Sequence, residues 1–427
     1  VNKEQPRIQT YVAVRTGSRN DPAETTGLAH YLEHLMFKGT RLFGTTDAVK
    51  EQPYLDDIER RYEHYRTVTD PEKRRQLYHE IDSVSQIAAQ YFIPNEYDKL
   101  MSSIGSEGTN AYTSNDVTCY VENIPNNEIE NWAKVQSDRF QNMVIRGFHT
   151  ELEAVYEEKN ISMASDVTKE FAALWNLLTP THPYGTQTTI GEQEHLKNPS
   201  IINIQNYFHR YYVPNNVAIV MAGDFDPDKT IALIDQYFGS WKKSDNLSRP
   251  EFEAQPAITA VKDTTVVGKE QENMMLAWLF KGANDQQNDT LDVISDLLAN
   301  GKAGLFEVNL EQKMKLASAG AFNYGLHDYT AFIVQALPNK GQKLEDTRAL
   351  VLGEMDKLRR GEFADELLPA VMANKKLNFY KGLDNNENRA SIMVDAFINE
   401  QKWEDVAKQP DRQSKLNKKE NIHIAKK

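Results

Sequence analysis

Gly27-Leu28-Ala29-His30-Tyr31-Leu32-Glu33-His34-Leu35-Met36-Phe37 is the stretch on which the reading of this chain turns. Its apolar residues recur at helical spacing, so it predicts a helix with Leu28, Leu32, Leu35, Met36 and Phe37 directed inward. His30 and His34 fall one turn apart on one face, where both imidazoles can reach the same cation. Glu33 sits beside them, where its carboxylate can act on water held by that cation. His-x-x-Glu-His is the reverse of the common zinc-binding helix pattern. The bland alternative is a solvated polar face. Against it, two histidines and a glutamate on a largely buried helix are costly without a partner. A metal ion removes that cost.

On the N-terminal side, residues 8–14 alternate as a strand, and Gly17-Ser18-Arg19-Asn20-Asp21 reads as the turn after it. On the C-terminal side, residues 45–104 read as a helical insertion. Segments 56–66 and 72–90 are helical and highly charged. Asp70-Pro71 opens the second helix and Pro94 is expected to stop it. A solvated lid or spacer is the favoured reading of this hairpin, over a specific partner site. Residues 113–121 read as strand, after Gly105 and Gly108. Thr150 and Glu153 have capping-box spacing, so a helix is expected to start there. Residues 217–221 read as strand, followed by a turn at Ala222-Gly223-Asp224-Phe225-Asp226-Pro227 and a helix to about Phe238.

After a polar linker the pattern restarts. Residues 274–280 form a strand, Lys281-Gly282-Ala283-Asn284-Asp285 a turn, and about 290–299 a helix. The order repeats that of the first half, so the expected fold is α+β, built from tandem duplicated α/β domains. The expected divisions are a metal-bearing domain at 1–240, a linker and entry strand at 241–269, and a second domain at 270–427. The second copy carries Val293, Ile294, Asp296, Leu297 and Leu298 where the first has its metal residues, and is expected to be metal-free.

Apolar residues make up 40% of the 427 and charged residues 26%, an ordinary globular balance. The net charge of −13 argues against nucleic acid as a partner. The single cysteine, Cys119, allows no intrachain disulfide. No apolar run has the length of a membrane span. The abrupt opening in a strand suggests that a targeting segment precedes residue 1 in the natural protein. With the stretched first domain, it favours the bacterial periplasm or cell envelope.

A catalytic zinc takes three protein ligands and one open position. The region for a third ligand is Glu151-Leu152-Glu153-Ala154-Val155-Tyr156-Glu157-Glu158. Glu151 and Glu158 share a face two turns apart, but acids in a first turn or on a solvated face are also ordinary. The local pattern alone leaves the choice open.

The chain resembles the pitrilysin family of inverted-motif zinc peptidases, which includes insulin-degrading enzyme and the mitochondrial processing peptidase. The residues carrying the resemblance are His30-x-x-Glu33-His34, Asn110-Ala111-Tyr112-Thr113 with Asp116 and Thr118, Glu151 with Glu158, His182-Pro183-Tyr184-Gly185, and the turn at residues 222–226. The resemblance covers about residues 8–240 closely and 270–427 more loosely. It implies one zinc per chain, held by His30, His34 and Glu158. It implies Glu33 as general base and Glu151 as a supporting acid in the catalytic set. Asn110, Ala111 and Tyr112 then belong to an edge strand that holds an extended peptide. The separation of His34 from Glu158 is longer than the family usually shows, and the helical insertion accounts for the excess.

Family enzymes also bring an arginine and a tyrosine to the substrate carbonyl from another domain. At the corresponding stretch this chain has Glu311 and Ser318. The resemblance therefore implies a zinc endopeptidase whose chain is the zinc-bearing half and needs a second half, fused or separate, to supply that pair. The other expectation is a non-catalytic family subunit with an assembly or peptide-binding role.

Overall fold

The computed structural model describes residues 1–427, which divide into two compact units. The first comprises Val1–Thr168 and Thr179–Pro256, the second Lys169–Leu178 and Ala257–Lys427. The fold is α+β, with a small antiparallel sheet in each unit.

In the first unit the sheet order is β2-β3-β1-β4. Strand β1 (Arg7–Val14) is buried along nearly its whole length. It is a central strand, paired with β3 (Thr118–Pro125) on one side and β4 (Val217–Gly223) on the other. β2 (Glu107–Thr113) pairs only with β3 and leaves its other edge free. The expectation of one strand over 113–121 needs correction. Ser114–Val117 is a turn, closed by the Ser114 N–H donating to the Val117 carbonyl at 2.8 Å. Asn115 and Asp116 favour such a reversal. The result is a β2–β3 hairpin whose first strand lies at the sheet edge.

Helix α1 (Leu28–Leu35) buries Leu28, Ala29, Tyr31, Leu32 and Leu35 in the core formed with Val12, Val14, Tyr120 and Trp132. Full burial of each large apolar side chain contributes about 1.5–3 kcal/mol. The insertion forms a helical hairpin, α2 (Ala48–Thr67) and α3 (Pro71–Ala88). Asp47 and Asp70 cap them, accepting from the Lys50 and Lys73 amides at 3.1 and 2.9 Å. α3 ends six residues before Pro94, and a third helix, Glu96–Ser103, leads into β2. Ile58, Tyr62, Ile81 and Ala88 anchor the hairpin to the core.

The helix carrying Glu151 and Glu158 spans Phe148–Ala164, three residues earlier than the capping-box spacing implied. Gly147, at φ +63, is its N-cap, and the Glu151 amide donates to the Gly147 carbonyl at 3.0 Å. A left-handed glycine suits this abrupt entry, so Thr150 and Glu153 already lie inside the helix.

The second unit has sheet order β5-β7-β6, from Met274–Lys281, Tyr329–Leu337 and Ser318–Gly325. Strand, helix (Gln287–Leu298), antiparallel hairpin and two long helices (Leu344–Arg360 and Leu367–Gly382) follow the same order as in the first unit. Its core centres on Val293, Ile294, Leu297, Phe306, Phe332 and Val334. No helix of the chain is long and apolar enough to cross a membrane.

Candidate metal centre

α1 begins at Gly27, whose φ of +87 favours glycine, and an added Cβ there would lie 2.7 Å from the Ile190 carbonyl oxygen. The exposed amides of its first turn are satisfied from outside the helix. Asp21 accepts from the Gly27 and Ala29 N–H groups at 2.7 and 3.1 Å. Burial raises the Asp21 pKa to about 8, against the lowering pull of these amide hydrogen bonds. With one face locked into the core, His30, Glu33 and His34 are presented together on the opposite side.

The Phe148–Ala164 helix packs against α1. The Tyr31 hydroxyl donates to the Phe148 carbonyl at 2.5 Å, and Val155 is fully buried. That packing brings Glu158 over the two histidines. Its Oε2 lies 3.5 Å from His30 Nε2 and 3.5 Å from His34 Nε2. The ligand atoms of His30, His34 and Glu158 all lie within 4.8 Å of one another, and no other such cluster of three His, Cys, Asp or Glu occurs in the chain. Glu157 is exposed on the neighbouring face.

Two donors bound to a tetrahedral zinc at ~2.05 Å sit ~3.3 Å apart, close to the spacings at Glu158. The donor chemistry also fits. His30 is driven towards the neutral imidazole that a metal requires. Burial, reinforced by the neighbouring His34, pulls its pKa down to about 4. Its buried Nδ1 has no hydrogen-bond partner. His34 Nδ1 lies 3.2 Å from Glu151 Oε2. A carboxylate on Nδ1 selects the tautomer whose free lone pair is on Nε2, the atom nearest Glu158. Burial lowers the His34 pKa, but hydrogen bonding to Glu151 and the charges of Glu158 and Glu33 outweigh it, for a net rise. Burial raises the Glu151 pKa, but its bonds to His34 and Lys38 overcome that and keep the carboxylate ionised.

Glu33 does not join this cluster. Its Oε2 accepts from the Thr113 hydroxyl at 2.5 Å, at the end of edge strand β2. Burial raises its pKa, against the lowering effect of the Thr113 bond and of His34. Asn110, Ala111 and Tyr112 lie on the same strand, with Asn110 and Tyr112 exposed. The Asn110 side chain accepts from the Ala111 amide at 2.9 Å. In the second unit, the Glu311 carboxylate accepts from the Ala319 amide at 2.7 Å, and Ser318 opens β6.

Two contributors escaped the sequence reading. Thr113 belonged to the quoted strand motif, but its contact with Glu33 spans 80 positions. Lys38, which pairs with Glu151, was unmarked. A lysine following the apolar run Leu35-Met36-Phe37 was the available signal, because a half-buried ammonium needs a partner.

The family models agree with this architecture. The insulinase (peptidase family M16) model matches residues 1–51, and the peptidase M16 inactive domain matches residues 202–375. The chain belongs to the M16, or pitrilysin, family of peptidases. It is 24% identical over 401 residues to the zinc protease PqqE of Helicobacter pylori, covering 92% of this chain and 78% of that protein. It is 25% identical over 326 residues to the uncharacterized zinc protease YmxG of Bacillus subtilis, covering 74% of this chain and 64% of the relative. Among solved structures, a protease from Helicobacter pylori superposes with TM-score 0.79 at 21% identity, covering 100% of this chain and 92% of that one. The first half of the periplasmic protease PqqL from Escherichia coli gives 0.69 at 15% identity, covering 99% and 84%. Against the longer PqqL chain the score is 0.72, and this protein spans 44% of it.

Proposed function

We propose that this chain is a zinc-dependent endopeptidase component that cleaves peptide bonds with activated water, and that it forms the zinc-bearing half of a two-half enzyme. The observation that carries the reading is the convergence of His30 Nε2, His34 Nε2 and Glu158 Oε2 from two helices, with Glu33 beside them. These three residues would hold one zinc ion. When bound there, the ion supplies Lewis-acid polarisation of a carbonyl and lowers the pKa of water.

The protein's own groups account for the remaining work. Glu33 takes a proton from the attacking water and delivers it to the leaving amine. Its burial-raised pKa makes it a better proton acceptor than a solvated glutamate. The Thr113 hydroxyl holds one Glu33 oxygen and so leaves the other to face the reacting water. The free edge of β2 offers backbone N–H and C=O groups to a substrate bound as an added strand. Asn110, Ala111 and Tyr112 would line that strand, which places extended peptides ahead of folded proteins as substrates. Glu151 orients His34 and is not itself a ligand.

In this reading the first unit is the zinc-bearing domain and the second a metal-free copy. With Glu311 and Ser318 in place of an arginine and a tyrosine, a second family half supplies the groups that meet the substrate carbonyl. The likeness to the first half of PqqL supports that arrangement, and the periplasmic description of PqqL supports a location in the bacterial periplasm or envelope.

Glu33→Gln tests the assignment. The variant keeps side-chain volume and is expected to retain one zinc per chain, while hydrolysis of a mixed peptide pool falls by roughly 10²–10⁴-fold. The assay includes a second family half supplied with the chain. Wild-type turnover by the variant would remove Glu33 from the chemistry.

A further inference from the structure

We propose that Lys38 is a positioning residue for the metal centre, acting through Glu151 to hold His34 in its ligating orientation. This rests on the zinc reading above. The Lys38 ammonium pairs with Glu151 Oε1, and each of the two side chains is only 17% exposed. The other oxygen, Oε2, meets His34 Nδ1 at 3.2 Å. One carboxylate is thus shared between two partners, one per oxygen. With Oε1 engaged, Glu151 cannot swing towards the neighbouring cation position and compete as a ligand. Only Oε2 is left for His34, and the imidazole turns Nε2 towards Glu158.

Lys38 is itself anchored. Its N–H donates to the Leu35 carbonyl at 3.0 Å as the chain leaves α1. Its carbonyl accepts from Arg146 Nη1 at 3.0 Å. The same guanidinium holds the Thr40 carbonyl at 3.0 Å and is bidentate to Glu51, on α2, at 2.7 and 2.9 Å. A continuous chain of contacts therefore runs from the inserted hairpin through Glu51, Arg146, Lys38 and Glu151 to His34. The insertion is thereby linked to the metal site.

The test is zinc affinity of the full chain, measured by competition with a chromogenic chelator. Groups that orient a ligating histidine typically change metal affinity by about 10–100-fold when removed. Lys38→Met is therefore expected to weaken zinc binding about tenfold or more, and Lys38→Arg to restore it to within about threefold. In a Glu151→Gln background, Lys38→Met should add less than about twofold, because its effect runs through Glu151. A loss below about threefold for Lys38→Met alone, or losses that multiply in the double variant, overturns the proposal. A measurement on the unmodified protein guards against misfolding of the variants. Nitrogen-15 spectra of the metal-free chain should place the His34 proton on Nδ1, and a proton on Nε2 alone overturns the proposal. Wild-type protein that binds zinc but cleaves no peptide, even with a second half present, refutes the peptidase reading and leaves these measurements decisive for Lys38. Wild-type protein that binds no zinc refutes both.

Discussion

Replacing Arg146 by methionine breaks the contact that ties the inserted hairpin to the turn after α1. Arg146 and Glu51 are each about 1% exposed, and the guanidinium makes two bonds to the Glu51 carboxylate and one each to the Lys38 and Thr40 carbonyls. Methionine preserves most of the volume but strips all four bonds. It leaves a buried carboxylate without its counter-charge, which costs about 3–5 kcal/mol. For a unit of this size that corresponds to a fall of roughly 6–20 °C in Tm. The assay is thermal unfolding followed by fluorescence and by limited proteolysis of the α2–α3 hairpin. The double variant Glu51→Leu/Arg146→Met removes the stranded charge as well and should recover at least half of the loss, since a buried ion pair is replaceable by packed apolar groups. A single variant within 2 °C of wild type, or a double variant no more stable than the single one, would refute the reasoning. Zinc affinity should fall along with Tm in the single variant, because the turn that bears Lys38 loses its donor.

Thr113→Val removes the hydroxyl that lowers the Glu33 pKa, so that pKa should rise further. A hydrogen bond to a charged group contributes about 1.5–3 kcal/mol, so the acid limb of the kcat/KM profile of zinc-loaded enzyme should move up by roughly one to two pH units. An unmoved limb would show that Thr113 does not act on the base. For His30, the folded pKa of about 4 lies below the unfolded value of 6.5, so between those two values the unfolded chain binds more protons. Metal-free protein should therefore lose stability as pH falls from 6.5 to 4, by up to about 3 kcal/mol from this group. Denaturant titrations at several pH values should show a shallower dependence in His30→Asn, and an unchanged slope would contradict the burial argument.

Much of the site was legible in the one stretch from Gly27 to Phe37. Helical periodicity alone puts His30, Glu33 and His34 on the side of α1 away from Leu28, Leu32 and Leu35, because 3.6 residues per turn separates the two faces. Strands β1, β4 and β5 and the inserted helices were legible for the same reason: local pattern and caps suffice for elements whose buried face is continuous. The β2–β3 hairpin was not, although Ser114-Asn115-Asp116 carries a turn signal, because a strand reading of 113–121 runs through it and the pairing register places the reversal there. The start of the Glu158 helix was missed because a left-handed glycine outranked a capping box.

The sequence by itself determined the chemistry on offer: two imidazoles and a carboxylate on one helical turn, and a choice of acids more than a hundred residues away. Periodicity says which residues share a face, but not which helix that face will meet. Tertiary packing of the Phe148–Ala164 helix on α1 decided that Glu158 faces the histidines while Glu151 lies behind His34. Lys38, Thr113 and the Glu51–Arg146 pair became visible only there, because each acts across a contact between segments far apart in the chain.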